Sequence, residues 1–343
     1  MRRIMLTLLI GGLSAVGSPV FSQPPVQSDD STLADTLVAS VEPLRLAFYN
    51  VENFFDCEDD SLTADEEFLP GGLRGWTPTR FWQKAGHISR VMAYLRFPAL
   101  VGLAEVENAG CLSRLTLVSP LKQAGYAFVH KESPDPRGID VALLYNPYLF
   151  QPLHDTVLVA RFDENPTKRS RDVLVVKGLL HGVGVMHVFV CHLPSRLGGE
   201  KATSPLRRQV ARSMRVYVDS LLKVDPQAMV LIMGDFNDEA DSPSLALELG
   251  SGSSLSNLTL PMRDQGVKGT HKHQANWGFL DHLLVSQALL SRVDTAVVAD
   301  PPFLLQADKT WLGIKPFRTY HGMVWQGGYS DHLPLYLDVK PKP

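Results

Sequence analysis

What most restricts the fold open to this chain is a series of short, nearly continuous apolar runs, each closed by a polar residue. LRLAFYNV (44–51), PALVGLAEV (98–106), IDVALLYN (139–146) and VMHVFVCHL (185–193) are of this kind. AMVLIMGDFN (228–237), WGFLDHLLVS (277–286) and HLPLYLDV (332–339) follow. Runs this short and this rich in Val, Ile and Leu read as buried strands, since helices need a longer stretch. Between them, TRFWQKAGHISRVMAYL (79–95) carries apolar residues at helical spacing behind a Thr. SPLRRQVARSMRVYVDSLLK (204–223) is a long amphipathic helix with a Ser-Pro opening. DEADSPSLALEL, after the GDFN segment, is a further helix-forming stretch. No repeat and no internal linker interrupts this texture, so one domain over 44–343 is expected, two packed sheets flanked by helices. A hydrophobic share of 45% and a charged share of 20% are those of a globular chain with a sizeable core.

The N-terminus has a different character. Residues 1–22 combine a basic start (MRR), a short apolar core and small residues before Gln23. That is the pattern of a secretory signal peptide, and the apolar part is too short for a membrane span. No Cys follows the apolar core, which argues against a lipid anchor there. Residues 23–43 are a polar, Pro-containing lead-in. An exported protein, periplasmic or secreted, is therefore expected, with no stable membrane span, no protein partner implied and a monomer as the working state. The three cysteines, Cys57, Cys111 and Cys191, lack metal-site spacing. They read as small buried residues, with one disulfide as the alternative. A net charge of −3 forces no basic surface on the chain and weakens tight nucleic-acid binding as its main task, without excluding a nuclease that grips phosphate through a metal.

The residues that close the runs carry the chemistry. They are Asn50, Glu105, His192, Asp235 with Asn237, Asp281, and Asp331 with His332. Each alone is an ordinary turn residue. Glu105 asks for more, because a carboxylate inside an apolar strand needs a partner or a cation to offset its desolvation. Together they form an inventory of hard oxygen donors suited to Mg²⁺ or Mn²⁺, with histidines for proton transfer. GxSxG, Walker and HExxH motifs are absent. Metal-assisted attack of water on a phosphoester is the reaction class that uses these parts.

At these residues the chain resembles the endonuclease/exonuclease/phosphatase superfamily. The matching pieces are FYNVENFFD (48–56), GLAEVEN (102–108), RGIDVALLYNP (137–147), CHLPSRLGG (191–199), MGDFNDE (233–239), GFLDHLLVS (278–286) and YSDHLP (329–334). The resemblance implies an α/β fold, a four-layer αββα sandwich in which two mixed β-sheets pack face to face with helices outside. It implies Glu105 as the principal metal carboxylate, with Asn50 and Asp331 in the metal shell. His332 would activate water, held by Asp281. Asp235 and Asn237 would position nucleophile and phosphate, and His192 would contact the phosphate or leaving group. Arg137, Asp140, Ser195 and Arg196 are expected either to touch substrate or to fix loops, and Asp238 to be turn chemistry. His271 and His273 either line the substrate mouth or decorate the surface. The segment with His321, Met323 and Trp325 either stacks a base or packs on the domain.

The expected activity is an Mg²⁺- or Mn²⁺-dependent phosphodiesterase, with nucleic acid the first substrate class. A phosphomonoesterase or a phospholipid or sphingolipid phosphodiesterase is the alternative. WGFLDHLL lacks the WCDR pattern associated with inositol phosphatases, and no apolar membrane-dipping hairpin stands out. A non-catalytic binding domain would have lost the metal carboxylate or the terminal His, and both are present.

Overall fold

The computed structural model describes residues 42–250 and 254–342. The leader read over 1–22 and nearly all of the lead-in over 23–43 lie outside them. In chain order the elements of the first half are β1 (Leu44–Phe54), α1 (Pro78–Tyr94), β2 (Leu100–Val106), α2 (Ala109–Leu117), β3 (Ala127–His130), β4 (Asp140–Tyr145) and β5 (Phe150–Leu158). Then come β6 (Val173–Leu180), β7 (Gly184–His192), α3 (Glu200–Val224), β8 (Met229–Asp235) and β9 (Leu255–Asn257). A hairpin of β10 (His271–His273) and β11 (Asn276–Gly278) precedes β12 (Asp281–Ser286) and β13 (Val293–Val298). Two further hairpins, β14 (Leu305–Ala307) with β15 (Ile314–Pro316) and β16 (Tyr320–His321) with β17 (Val324–Trp325), lead to β18 (Leu335–Val339).

Two six-stranded sheets result, ordered β13-β18-β1-β2-β4-β3 and β5-β6-β7-β8-β12-β9. Each contains one parallel pair, β1 with β2 and β7 with β8, and its other pairs are antiparallel. A parallel pair needs a long crossover. Helix α1 lies in the first crossover and α3 in the second. This arrangement aims the carboxyl ends of all four parallel strands at one edge.

The sheets meet face to face, because the strands alternate. On β8, Leu231 and Met233 join the core shared with β1, β2, β12 and β18. Val230 and Ile232 point the other way, onto Val210, Ala211, Met214 and Val218 of α3. Each such fully buried side chain contributes about 1.5–3 kcal/mol. Gly102 shows how closely the layers approach. A Cβ there would lie 3.0 Å from the Met233 Cε of the opposing sheet and 3.1 Å from the Phe48 ring. The result is the expected four-layer α/β sandwich.

Several boundaries differ from the sequence reading, for local reasons. Helix α1 is capped by Thr77, whose Oγ1 accepts from the Arg80 amide, and Pro78 takes the first helical position. Helix α3 starts at Glu200, not at Ser204, so Pro205 lies inside it. There Thr203 Oγ1 donates to the Gly199 carbonyl and Arg207 Nη2 to the Glu200 carbonyl, which serves first-turn acceptors near the amide that Pro205 lacks. WGFLDHLLVS is two strands, broken where Glu239 Oε2 accepts the Phe279 amide at 3.1 Å. The helix expected in DEADSPSLALEL is one wide π-turn over Ser244–Leu249, whose Glu248 clamps Arg208 and Arg212 of α3. All three thiols are free, so no disulfide forms. Among the described residues, no helix is long and apolar enough to cross a membrane.

Candidate active site

The first sheet supplies its groups through two breaks in register. The ladder between β1 and β2 shifts between Asn50 and Phe54, and that between β2 and β4 shifts between Ala104 and Val106. Glu52, Asn53 and Glu105 there hold φ of 51°, 62° and 64°. A left-handed backbone costs an L-residue roughly 1–2 kcal/mol, and bulges of this kind re-aim side chains. The gain is that Glu105 leaves the ladder. Its carboxylate accepts Asn50 Nδ2 at 3.3 Å and the Asn53 amide at 3.0 Å, and stays 16% exposed. Asn50 Nδ2 also donates to Asp235 Oδ2 at 3.0 Å, while its Oδ1 accepts the Glu52 amide at 2.9 Å. The Asn50 carboxamide therefore straps the two sheets together as a donor, with its oxygen turned to its own chain.

The second sheet supplies its groups through perfect register. His192 ends β7 opposite Asp235 at the end of β8, and Asp281 opens β12 opposite Asp235 on the other side. Asp235 Oδ2 lies 3.5 Å from His192 Nε2 and 3.7 Å from His332 Nε2. Asp235 Oδ1 accepts the Asn237 amide at 2.8 Å, which helps hold Asn237 at a φ of 50°. The Asn237 side chain is committed to the Leu193 carbonyl at 3.1 Å, and its own carbonyl accepts Arg196 Nε at 2.6 Å. Asp281 is wholly buried, with Oδ2 2.7 Å from His332 Nδ1. Ser330 ties the His332 segment to β1, accepting the His332 amide and donating to the Asn50 carbonyl at 2.7 Å.

Burial and charge set the protonation states. Burial, reinforced by Asp281 and Glu105 and opposed by His332, raises the Asp235 carboxyl to about 7. Burial alone would depress His332, yet the Asp281 and Asp235 carboxylates outweigh it and hold the imidazole well above its usual range. His192 is pushed well below that range by burial and then by Arg171 and Arg137, so it is neutral. His271, whose ring centroid is 4.9 Å from that of His332, is lowered to about 4 by burial and then by His332.

A cleft of about 610 Å³ opens over this cluster. Glu105, His192, Asp235, Asn237, Asp331 and His332 line it, as do Arg137, Ser195, Arg196, His271, His273 and Trp277. Asn50 and Asp281 lie behind that lining, against the carboxylates and the imidazole. Asp140 is elsewhere. It opens β4, accepts the Ser133 amide at 2.9 Å and faces His130, so of its two expected roles it takes that of fixing a loop and not that of touching substrate. Asp238 is more than turn chemistry, since it forms a buried ion pair with Arg207 at 2.8 Å. Trp325 packs against Trp76 and Tyr320, so it builds the domain rather than offering a stacking face.

The sequence reading missed the support behind Asp331. Arg318 donates to Asp331 Oδ2 at 2.9 Å and to Glu52 Oε1 at 3.3 Å. Glu52 also accepts the Thr319 amide, and buried Lys84 donates to Thr319 Oγ1 at 2.6 Å and to the Tyr329 carbonyl. Lys84 was visible in principle: it falls three positions after Phe81, on the apolar stripe of α1. The chemistry of the set fits a hard divalent cation. Asp235 and Asp281 crowd the His332 imidazole, and the Glu105 carboxylate faces His192 at 4.0 Å, so oxygen donors gather in a partly dry cleft.

A sequence profile of the Endonuclease/Exonuclease/phosphatase family matches residues 45–341. No curated protein sequence matches significantly. Among solved structures, an endonuclease/exonuclease/phosphatase family protein from Bacteroides thetaiotaomicron superposes with a TM-score of 0.57 at 17% identity, covering 86% of this chain and 97% of that one. A mannosyl-6-phosphatase from the same organism gives 0.55 at 15% identity, covering 86% and 98%. TDP2 from D. rerio, complexed with a single-strand DNA product, gives 0.53 at 15% identity, covering 86% and 98%. At these identities the likeness shows the fold alone.

Proposed function

The chain belongs to the endonuclease/exonuclease/phosphatase family of phosphoester hydrolases, and from that premise we propose that it is an exported, Mg²⁺- or Mn²⁺-dependent phosphodiesterase acting on short or single-stranded nucleic acid. The observation that carries the reading is the meeting of Glu105, Asp235, His192 and the Asp281–His332 pair at the carboxyl ends of both parallel strand pairs. Glu105 would hold the cation with Asp331 beside it, and the cation would polarise a phosphoryl oxygen. Asp281 fixes His332 Nδ1, so Nε2 is the nitrogen presented to the cleft. Neutralising the surrounding carboxylates frees Nε2 to accept a proton from the attacking water. Asp235, within reach of both imidazoles, shares that proton. Neutral His192 donates to a phosphoryl oxygen or to the leaving group. Arg137 and Arg196 attract the phosphate, and Ser195 adds a donor at the same wall.

Two features favour a small nucleic-acid segment over a duplex. The cleft is of small-ligand size, and a net charge of −3 provides no long phosphate track. Trp277 and His273 line the cleft, where one base would stack against the indole. A second reading rests on Glu200 and Glu239, which also line the cleft. They would repel further phosphates and accept hydrogen bonds from sugar hydroxyls, suiting a sugar phosphomonoester. Residues 1–22 act as an export leader in this reading, so the mature N-terminus should be Gln23.

The test is hydrolysis of single-stranded DNA, RNA, dinucleotides, sugar phosphates and lipid headgroup esters, with Mg²⁺, Mn²⁺ or chelator. Activity should need the cation and fall about 10²–10⁴-fold in His332→Ala. It should also be lost in Glu105→Gln at cation levels that saturate the parent. A His332→Ala protein of normal activity would overturn the mechanism. Preference for a monoester would select the second reading.

A further inference from the structure

Two carboxylates line the cleft without belonging to the cation cluster, Glu200 and Glu239. They are held in different ways. Glu200 opens α3, its side chain is 59% exposed, and its Oε2 already takes Arg196 Nη1 at 3.3 Å. Glu239 is half-buried and lies four residues beyond Asp235, in the segment that leaves β8. Its Oε2 accepts the Phe279 amide at 3.1 Å, between β11 and β12. The carboxylate lies so close to β11 that a Cβ on Gly278 would collide with Oε1 and come 3.1 Å from Cδ. Glycine at 278 is what permits this approach. Among the described residues, Oε2 is the oxygen that takes a hydrogen bond, and Oε1 takes none.

An ionised carboxylate only accepts hydrogen bonds, so whatever meets Oε1 must bring a donor. A phosphate oxygen brings none and is repelled. Arg137 and Arg196 have the opposite bias, since a guanidinium only donates. The part of the substrate that faces Glu239 is therefore neutral and carries a hydroxyl. A ribose presents one next to its 3′ phosphoester and a deoxyribose does not, and a polyol phosphate presents one as well. On the basis of the phosphoesterase reading, we propose that Glu239 is a specificity-determining residue of the cleft. Its Oε1 accepts a sugar hydroxyl adjacent to the scissile phosphate, so hydroxyl-bearing esters are hydrolysed in preference to their deoxy counterparts.

The Phe279 amide and the β11 backbone fix this carboxylate before substrate arrives, so little side-chain freedom is left to lose on binding. Glu200 lacks that advantage: it is exposed, water competes for it, and Arg196 occupies it. A hydrogen bond to a charged group changes affinity by about 10–100-fold. A site shaped to pair with a hydroxyl also rejects the analogue that lacks it, because its own acceptor is then left unpaired. A base amino group is a donor too, but it is identical in a ribo and deoxyribo pair of the same sequence, so such a pair isolates the hydroxyl.

The experiment measures kcat/KM, with saturating Mg²⁺, for a ribodinucleotide against its 2′-deoxy counterpart and for glycerol 3-phosphate against propyl phosphate. In the parent, the hydroxyl-bearing member of the pair that is hydrolysed should lead by about 10–100-fold. In Glu239→Ala the lead should shrink to about threefold or less. Glu239→Gln keeps an oxygen for the Phe279 amide, so it folds where Ala does not, and its lead should fall at least about threefold. Gly278→Ala, which displaces the carboxylate without removing it, should cut the same lead. Equal turnover of both members by the parent, or a lead that survives intact in the Glu239 variants, would overturn the proposal and leave the phosphoesterase reading standing. A parent that hydrolyses none of these esters would overturn the reading on which the proposal rests, and the proposal with it.

Discussion

Replacing Asp281 by Asn changes the charge of one buried side chain and hardly alters its shape. Its Oδ2 lies 2.7 Å from His332 Nδ1, with Asp281 wholly buried and only the cleft edge of His332 exposed. Unit charges about 4 Å apart interact by about 4 kcal/mol at an effective dielectric near 20. The charge-assisted hydrogen bond is itself worth about 1.5–3 kcal/mol. In Asp281→Asn the imidazole therefore loses most of the pull that holds it above its usual range, and it also loses the fixed tautomer that presents Nε2. The expected result is a fall in kcat of about 10²–10⁴-fold, with a small change in KM. Stability should respond with a definite sign. A histidine raised in the folded state stabilises fully below its unfolded pKa of 6.5 and loses that contribution as pH rises through the folded value. The variant's deficit in Tm should accordingly be largest below 6.5 and shrink in alkali. The assay is kcat against pH over about pH 5 to 9 with a chromogenic phosphodiester and saturating Mg²⁺. Activity within about threefold of the parent, with the same pH profile, would refute the assigned role of Asp281.

Arg207→Met should leave the buried Asp238 with only Arg196 at 3.6 Å and the Ser244 hydroxyl, and cost up to about 3–5 kcal/mol in urea unfolding, even though neither Arg207 nor Asp238 reacts. Glu107→Gln should act through pH. Burial, and then the Asp56 carboxylate, raise the Glu107 carboxyl from 4.5 to about 8. The folded state thus keeps a proton that the unfolded chain releases, and stability falls as pH rises between those values. One proton corresponds to at most about 1.4 kcal/mol per pH unit. A carboxamide at this position has no proton to lose, so the variant should match the parent near pH 4.5 and exceed it near pH 8 in thermal unfolding.

Legibility of the fold tracked burial on both faces. β2, β7 and β8 are covered by a helix on one side and by the other sheet on the other, so they read as continuous apolar runs. The strand β5 did not. FQPLHDTVL lies at a sheet edge, with a third of its residues exposed and a Pro in its third position, so its pattern passes for loop. The short β9 and the half-exposed β13 escaped for the same reason. The start of α3 was misplaced where side-chain bonds to the first turn override the Ser-Pro signal. Ser-Pro at 204–205 is a sound helix opening, but the side chains of Thr203 and Arg207 let the helix begin a turn earlier. The site was legible as a set of residue types at strand ends, because chain ends of parallel strands collect at one edge whatever the details. The two roles open to Asp140 were not separable, because proximity in sequence to Arg137 says nothing about which side of the loop each faces. Glu52, Arg318 and Lys84 were missed because their partners lie across hundreds of positions.

The two halves of the site also show different solutions to one problem. In the second sheet, His192, Asp235 and Asp281 sit in unbroken register, and the ladder alone aligns them. In the first sheet, the ladder would leave Glu105 in the pairing of β2 with its neighbours. The chain instead accepts left-handed backbone at Glu52, Asn53 and Glu105. Such strain persists only where the surroundings over-determine it. Here they do: the Asn53 amide bonds the Glu105 carboxylate, the Glu52 amide bonds Asn50, and the Asn50 carboxamide bonds both Glu105 and Asp235. The strained residues are therefore the ones whose amides and side chains fix the carboxylate at the cleft. A relaxed β1–β2 ladder would be locally cheaper by a few kcal/mol, but it would take Glu105 out of the reach of Asn50. Placing a carboxylate at the cleft, rather than stability, accounts for the NVEN and AEVEN sequences at these two strand ends.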